Sequence, residues 1–283
     1  MVQHFFKIKI STFFLLFSFL SFSQENLKNE TNAEQPIISE IDVIKVTSQF
    51  NQIGLSEVQS FYSGNIEKMS TTSLFYLRKS RNQKFTFVGR VNMKLRASIS
   101  SFKYDAEMYI KHGKNYYSFA GASVSDKKLF PNYELFYQFY SNLGRSWELE
   151  TGTKFLAAQN FNLVTPIIGF TKDFENNRIS FRNFLTFTSD KMYYSNIFQW
   201  RHFLNEKRDN LVLVSGFGNA PDSRNIDLAE NFIVNKTIFS GLGYEKNFKK
   251  FKLSVTSVYN RNNFNTGAKF NQFDLYFNLI HSF

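Results

Sequence analysis

From about residue 42 to the end of the chain, apolar and polar positions alternate with a period of two. In "FTFVGRVNMKLR", Phe85, Phe87, Val91, Met93 and Leu95 fall on one side of an extended chain, and Thr86, Arg90, Asn92, Lys94 and Arg96 on the other. In "FKYDAEMYIK", Phe102, Tyr104, Ala106, Met108 and Ile110 oppose Lys103, Asp105, Glu107, Tyr109 and Lys111. Trp147, Leu149 and Phe155 oppose Glu148, Glu150 and Lys154, and "FKLSVTSVY" and the closing "FDLYFNLIHSF" repeat the pattern. Such alternation predicts strands with one apolar and one polar face. Residues 70–79 and 115–125 fit either facing, and Pro166 weakens the pattern over 161–171.

The segments run to about ten residues, the length of a tilted strand that crosses a bilayer, and about fourteen can be counted, with twelve also possible. A soluble β-sandwich would alternate too. Against it stand the aromatic-heavy apolar faces, the lack of disulfide or Pro-rich edge control, and the connections. Counted back from the C-terminus, 246–250, 205–210, 173–177, 142–146, 111–115 and 79–83 are tight. Between them lie 262–269, 219–230, 189–190, 157–160, 126–132, 96–101 and a long stretch at 54–69. Short turns at one end and variable loops at the other describe an outer-membrane barrel. In hydrocarbon every backbone N–H and C=O needs a protein partner, so the strands must close on themselves. The expected fold is an all-β, closed antiparallel transmembrane β-barrel with both termini on the periplasmic side.

The N-terminus has Lys7 and Lys9, then a short apolar run and Ser21-Phe22-Ser23. That order reads as a cleavable signal over 1–23, too short to span a membrane as a helix. Residues 24–41 are polar and without period, a flexible periplasmic leader, and 42–283 form the barrel. Loss of the signal removes two lysines and no acid, so the net charge of +11 becomes +9. In an exported chain this basic balance suits anionic lipid or lipopolysaccharide and not nucleic acid. The 283 residues include 36 Phe, 14 Tyr and no Cys, which excludes disulfides, thiol nucleophiles and Cys-based metal sites.

The run "GRVNMK" (89–94), "YDAEMY" (104–109), "LFPNYELFYQFY" (129–140) and "WELETGTKF" (147–155), in that order and at barrel spacing, resembles the YaiO-type outer-membrane β-barrel family. The likeness covers most of the mature chain and weakens after residue 218. It implies a fold and a compartment, Gram-negative and outer-membrane, and brings no catalytic residue with it. The C-terminal row Phe273, Leu275, Phe277, Leu279 and Phe283 resembles the signal by which barrel-assembly machinery recognises such proteins, with His281 a departure from the usual residue two before the end.

Catalytic chemistry finds little purchase. After signal removal the histidines are His112, His202 and His281, all at the short-turn end in this topology, away from surface lipid. Each reads more simply as an interfacial or hydrogen-bonded side chain than as a general base. No cluster has metal-ligand spacing, and no cofactor is implied. Gly216-Phe217-Gly218 and Gly241-Leu242-Gly243 open no helix, so they read as bends or tight lumen contacts instead of phosphate loops. By parity Arg90, Lys94, Lys103, Asp105, Glu107, Glu134, Gln138, Glu148, Glu150, Lys154 and Arg182 point into the lumen. Such charges either pair off as a filling that stiffens a narrow barrel or form a constriction that selects small polar solutes. Lys127, Lys128, Phe130 and Tyr133 could meet a surface polysaccharide at the outer mouth, or belong to an aromatic girdle. The expected function is thus a non-catalytic barrel: a narrow conduit, or an accessory to polysaccharide handling. A lipid-modifying enzyme and a structural or adhesive barrel are the alternatives.

Overall fold

The computed structural model describes residues 51–64, 66–158, 162–188, 191–206, 208–218, 235–264 and 269–283. The expected signal, the leader, residues 42–50 and the connection at 219–230 lie outside the described residues. Fourteen strands are described. They are β1 (Asn51–Tyr62), β2 (Met69–Lys79), β3 (Phe85–Arg96), β4 (Ile99–Lys111), β5 (Tyr116–Ser125), β6 (Tyr133–Gly144) and β7 (Trp147–Ala157). There follow β8 (Asn162–Phe174), β9 (Asn177–Phe187), β10 (Met192–Phe203), β11 (Asn210–Gly218), β12 (Asn235–Asn247), β13 (Phe251–Phe264) and β14 (Lys269–Ser282). Each is antiparallel to its chain neighbours, and β14 pairs with β1 to close a barrel.

Closure is made by the pairing of β14 with β1. The ladder between β1 and β14 runs from Gln52 opposite Ser282 to Tyr62 opposite Gln272. At its lower end Asn51 and Phe283 exchange backbone hydrogen bonds of 3.2 and 2.9 Å. Phe273, Leu275, Phe277, Leu279 and Phe283 are all exposed on the outside of that seam. Most outward positions elsewhere are also apolar, from Phe87 and Val91 on β3 to Leu242 on β12, whereas Arg90, Asn92, Lys94 and Glu107 are buried inward. The polarity of a soluble protein is inverted.

All six tight turns lie at the end where Asn51 and Phe283 meet. Between β6 and β7 the chain turns on Arg145 and Ser146 alone, both at positive φ (51° and 62°), the twist that a two-residue hairpin demands.

Three expectations change. The stretch 54–69 is not a loop: β1 runs to Tyr62, and the connection begins after it. Its outward row, Ile53, Leu55, Glu57, Gln59 and Phe61, is broken by two polar residues, which hid the alternation. Pro166 sits inside β8, outward, and the ladder to β9 skips it and Thr165; the Thr165 and Thr186 hydroxyls, 3.0 Å apart, bridge the gap. The connection 96–101 shrinks to Ala97 and Ser98, with Ala97 at φ 52°.

Candidate functional site

The lumen is where the fold gathers chemistry, and all ten charged side chains assigned to it by parity point inward. They are organised by pairing across strands. Ser73 on β2 donates to Asn92 on β3 (2.6 Å), and Asn92 donates to Asp105 on β4 (2.6 Å). Lys103 lies 3.4 Å from Asp105 and 3.3 Å from Glu134 on β6, and Lys154 on β7 lies 2.7 Å from the other Glu134 oxygen. One polar belt thus runs from β2 to β7.

The belt crosses β5 without a charged partner there, and sequence explains how. Asp105 and Glu134 are both paired with Ser123, so at this level β5 offers only a hydroxymethyl group. A long side chain from β4 passes over it to β6. The same device recurs between β7 and β9. Glu150 and Arg182 form a bidentate ion pair over β8, where the residue between them is Gly169. A Cβ on Gly169 would stand 2.9 Å from the Glu150 Oε2 and 3.0 Å from the Arg182 Cγ. Arg90 and Glu107 on adjacent strands add a pair at 3.1 Å.

Parity also placed groups that were not singled out. Arg201, 2 % exposed, is inward between outward Trp200 and His202, and the alternation in "QWRHF" already implied it. Lys252 and Glu245 pair at 2.7 Å, and Asp274 accepts from Asn260 and Gln272. Such pairs involve strands on which the inward charges are sparse, so no sequence cluster announced them.

The far wall is different. Val214, Val258 and Tyr276 form a buried cluster with Val58, Ile197 and Phe239 packed on it. Nearer the turns Phe75, Leu77, Val88 and Ile280 make a second one. Gly54 lies opposite Phe75 across the β1–β2 ladder, and a Cβ there would come within 2.0 Å of the ring. Only a glycine lets that ring lie flat over the seam strand. Gly121 with Phe136 and Gly216 with Phe239 repeat the pairing, as expected for tight lumen contacts.

The loop between β5 and β6 folds inward. Leu129 and Phe130 are buried, the Leu129 carbonyl accepts from Lys94 Nζ (3.0 Å), and its N–H donates to Ser101 Oγ (3.1 Å). Lys94 Nζ also lies 4.5 Å from the centre of the Phe130 ring. This divides the expected polysaccharide contacts. Phe130 faces the lumen, held by a buried lysine. Lys127, Lys128 and Tyr133 stay at the exposed rim, with Lys127 Nζ 5.9 Å from the Tyr133 ring centre.

A cavity of about 200 Å³ occupies what space remains. It touches Lys94, Phe130 and Pro131 near the loops, Arg90, Glu107 and Glu134 at mid-height, and Arg201, Glu245 and Lys252 toward the turns. Among the described residues no group of His, Asp and Glu could hold a metal ion. The three histidines among the described residues lie outside the lumen, at the turn end. His112 Nε2 is 2.8 Å from Ser118 Oγ, His202 Nδ1 is 3.0 Å from Asn177 Oδ1, and His281 packs between Phe251 and Phe283.

Residues 50–223 match the model of the YaiO membrane beta barrel domain. The chain belongs to that family. No curated protein is similar to it. Among solved structures, the Acinetobacter baumannii outer membrane protein Omp33 aligns with a TM-score of 0.51 at 12 % identity, over 84 % of this chain and 100 % of that one. The CymD monoaromatic hydrocarbon channel aligns at 0.58 and 6 % identity, over 84 % and 89 %. A bacterial polysaccharide outer membrane secretin aligns at 0.55 and 6 % identity, over 84 % and 100 %. At such identities the likeness is one of fold. Family and fold together place this YaiO-family chain in the outer membrane of a Gram-negative bacterium, as a barrel whose fold resembles those of other outer-membrane barrels.

Proposed function

We propose that the barrel is a narrow, non-catalytic conduit for small polar solutes, with the turn end and both chain termini in the periplasm. The observation that carries the reading is the single cavity touched by side chains from the inward-folded loop down to Arg201 and Lys252. At about 200 Å³ it falls below the roughly 300–1,000 Å³ of pockets that hold drug-sized ligands. The paired charges stiffen the wall and, where they border the cavity, set a field for whatever passes. Filling and constriction are therefore one arrangement.

The absence of catalysis is part of the proposal. Ser118, whose hydroxyl is bonded to His112, is 0 % exposed, and His202 and His281 pack against aromatic rings on the outer surface. The outward row ending at Phe283 supports recognition by barrel-assembly machinery, and the apolar outer face implies lipid and lipopolysaccharide as its surroundings. A second reading, an accessory to surface polysaccharide, keeps Lys127, Lys128 and Tyr133 as contacts, because these three remain exposed at the rim.

Planar-bilayer recording on refolded protein tests the conduit. Steady single-channel steps are expected, with a reversal potential in a salt gradient that moves when Glu134 or Arg90 is replaced by Gln. A folded but silent barrel that binds a polysaccharide would favour the second reading. Lipid hydrolysis by the wild type, lost in His112→Ala, would establish the enzyme instead.

A further inference from the structure

Among the described residues, the lipid-facing surface carries one carboxylate at mid-height that the conduit does not use. Glu57 is the middle member of the outward row on β1, four residues from Ile53 and four from Phe61. Ile53 lies between Tyr76 and His281, at the level of the turn-end aromatics, and Phe61 packs beside Phe273 at the other margin. Glu57 therefore stands midway across the apolar band. A charged side chain facing lipid there is costly, and in a membrane such residues mark functional contacts.

Its surroundings are arranged. Gln59 Nε2 donates to one carboxylate oxygen (2.5 Å) and Thr72 Oγ1 to the other. Ser70, opposite Gln59, extends the polar patch along β2. On β3 the outward residue Gly89 leaves open space where a Cβ would be. Elsewhere on the outer face Asn183 accepts from Tyr194 and forms a second polar group, but it has no formal charge to shelter.

We infer that this β1–β2 face docks a second copy of the same chain within the membrane, related by a two-fold axis along the bilayer normal. A two-fold contact needs a self-complementary surface, with each patch meeting itself. This one holds acceptor and donors together: the carboxylate offers about four lone-pair sites, two of them met within its own barrel by Gln59 and Thr72, and the second Gln59 N–H and the Ser70 hydroxyl remain to donate. Facing copies exchange the remaining hydrogen bonds and withdraw Glu57 from the acyl chains. A lipid headgroup does not suit the site, because it would have to sink to mid-membrane.

The chain has no cysteine, so a single introduced one can link only to another molecule. Ser70→Cys and Leu74→Cys, treated in outer-membrane vesicles with a short bis-maleimide, are expected to give a species of twice the monomer mass. Leu185→Cys, across the barrel on β9, is expected to give none. Adding Glu57→Leu should cut the linked fraction about tenfold, equivalent to ~1.4 kcal/mol, while Glu57→Gln should retain it. An unboiled-gel shift confirms that each variant is folded. Equal linking at all three positions, no linking at Ser70 and Leu74, a product with a different protein, or an unchanged fraction in Glu57→Leu would each overturn the inference.

Discussion

The lumen wall from β2 to β9 and the wall from β10 through β14 to β1 border the same cavity and are held in different ways. On the first, acids and bases are laced across strands: Asp105 to Lys103 to Glu134 to Lys154, and Glu150 to Arg182. On the second, Val214, Val258 and Tyr276 pack as a small apolar core. The charged wall depends on what the strands between its partners lack, since Ser123 and Gly169 leave room for side chains to pass. The second wall rests mainly on shape, with the Lys252–Glu245 pair and the hydrogen bonds of Asp274 as its polar contacts. A charge is more exacting than a methyl group: its position must be met by a partner at hydrogen-bonding distance, or the desolvation is not offset.

The largest effect should therefore come from orphaning a charge. Glu150→Leu takes the carboxylate away from the buried Arg182 guanidinium, and breaking a buried ion pair in this way is expected to cost about 3–5 kcal/mol. Replacing both with Met should recover most of that loss. Gly169→Val should break the same pair without altering either charged residue, by filling the gap it spans. Urea unfolding in detergent micelles, followed by tryptophan fluorescence, measures all three. Glu150→Leu unfolding at the wild-type midpoint would remove the pair from any part in stability.

The apolar wall should respond to volume. Gly54→Val thrusts a side chain into the Phe75 ring at the seam, and overpacking of this kind costs about 1–3 kcal/mol. Gly54→Val with Phe75→Leu should be milder than Gly54→Val alone. Were the double variant the less stable of the two, the ring would not be the obstacle.

Much of this comparison was legible in the sequence and part was not. Period-two alternation gave the facing of Arg90, Glu134 and Arg182 because strand geometry leaves only two sides to choose from. It could not say that Lys103 reaches over β5 to Glu134, since that follows from register, and register is set by turns such as Arg145-Ser146 that adjoin uninformative residues. It misjudged β1, where Glu57 and Gln59 break the apolar row. It set Phe130 at the rim with its neighbours, because a loop has no period to reveal that Lys94 draws the ring inward.

That loop gives a way to sharpen the contrast through transport. Phe130→Ala should open space beside Lys94 and Lys103 and raise single-channel conductance, with little change in unfolding midpoint. Val258→Ala, on the opposite wall, should do the reverse, loosening the core while conductance stays near wild type. Equal conductance gains in the two variants would mean that the loop does not set the narrowest point.

The smallest effect expected lies outside the membrane, at the turn that follows β10. There the second wall keeps a charged contact of its own. The Asp209 carboxylate accepts from Lys246 Nζ (2.6 Å), the Asn247 N–H (2.8 Å) and Asn205 Nδ2 (2.8 Å). The Lys246 hydrogen bond, with that backbone N–H, lowers its pKa to about 2. Because the folded value lies below the ordinary carboxylate value of ~3.9, the contact contributes fully above that ordinary value. Its contribution fades as the pH falls from there through about 2, where the folded carboxylate takes up its proton. Asp209→Asn should accordingly unfold at lower urea than the wild type at pH 7, and the gap should narrow between pH 4 and pH 2. Lys246 is 41 % exposed at its side chain, so water and salt screen the pair and the gap should stay well below that of Glu150→Leu. A gap that widens on acidification would mean that the turn is held by the neutral hydrogen bonds of Asn205 and Asn247, and that charge matters to this barrel only where lipid surrounds it.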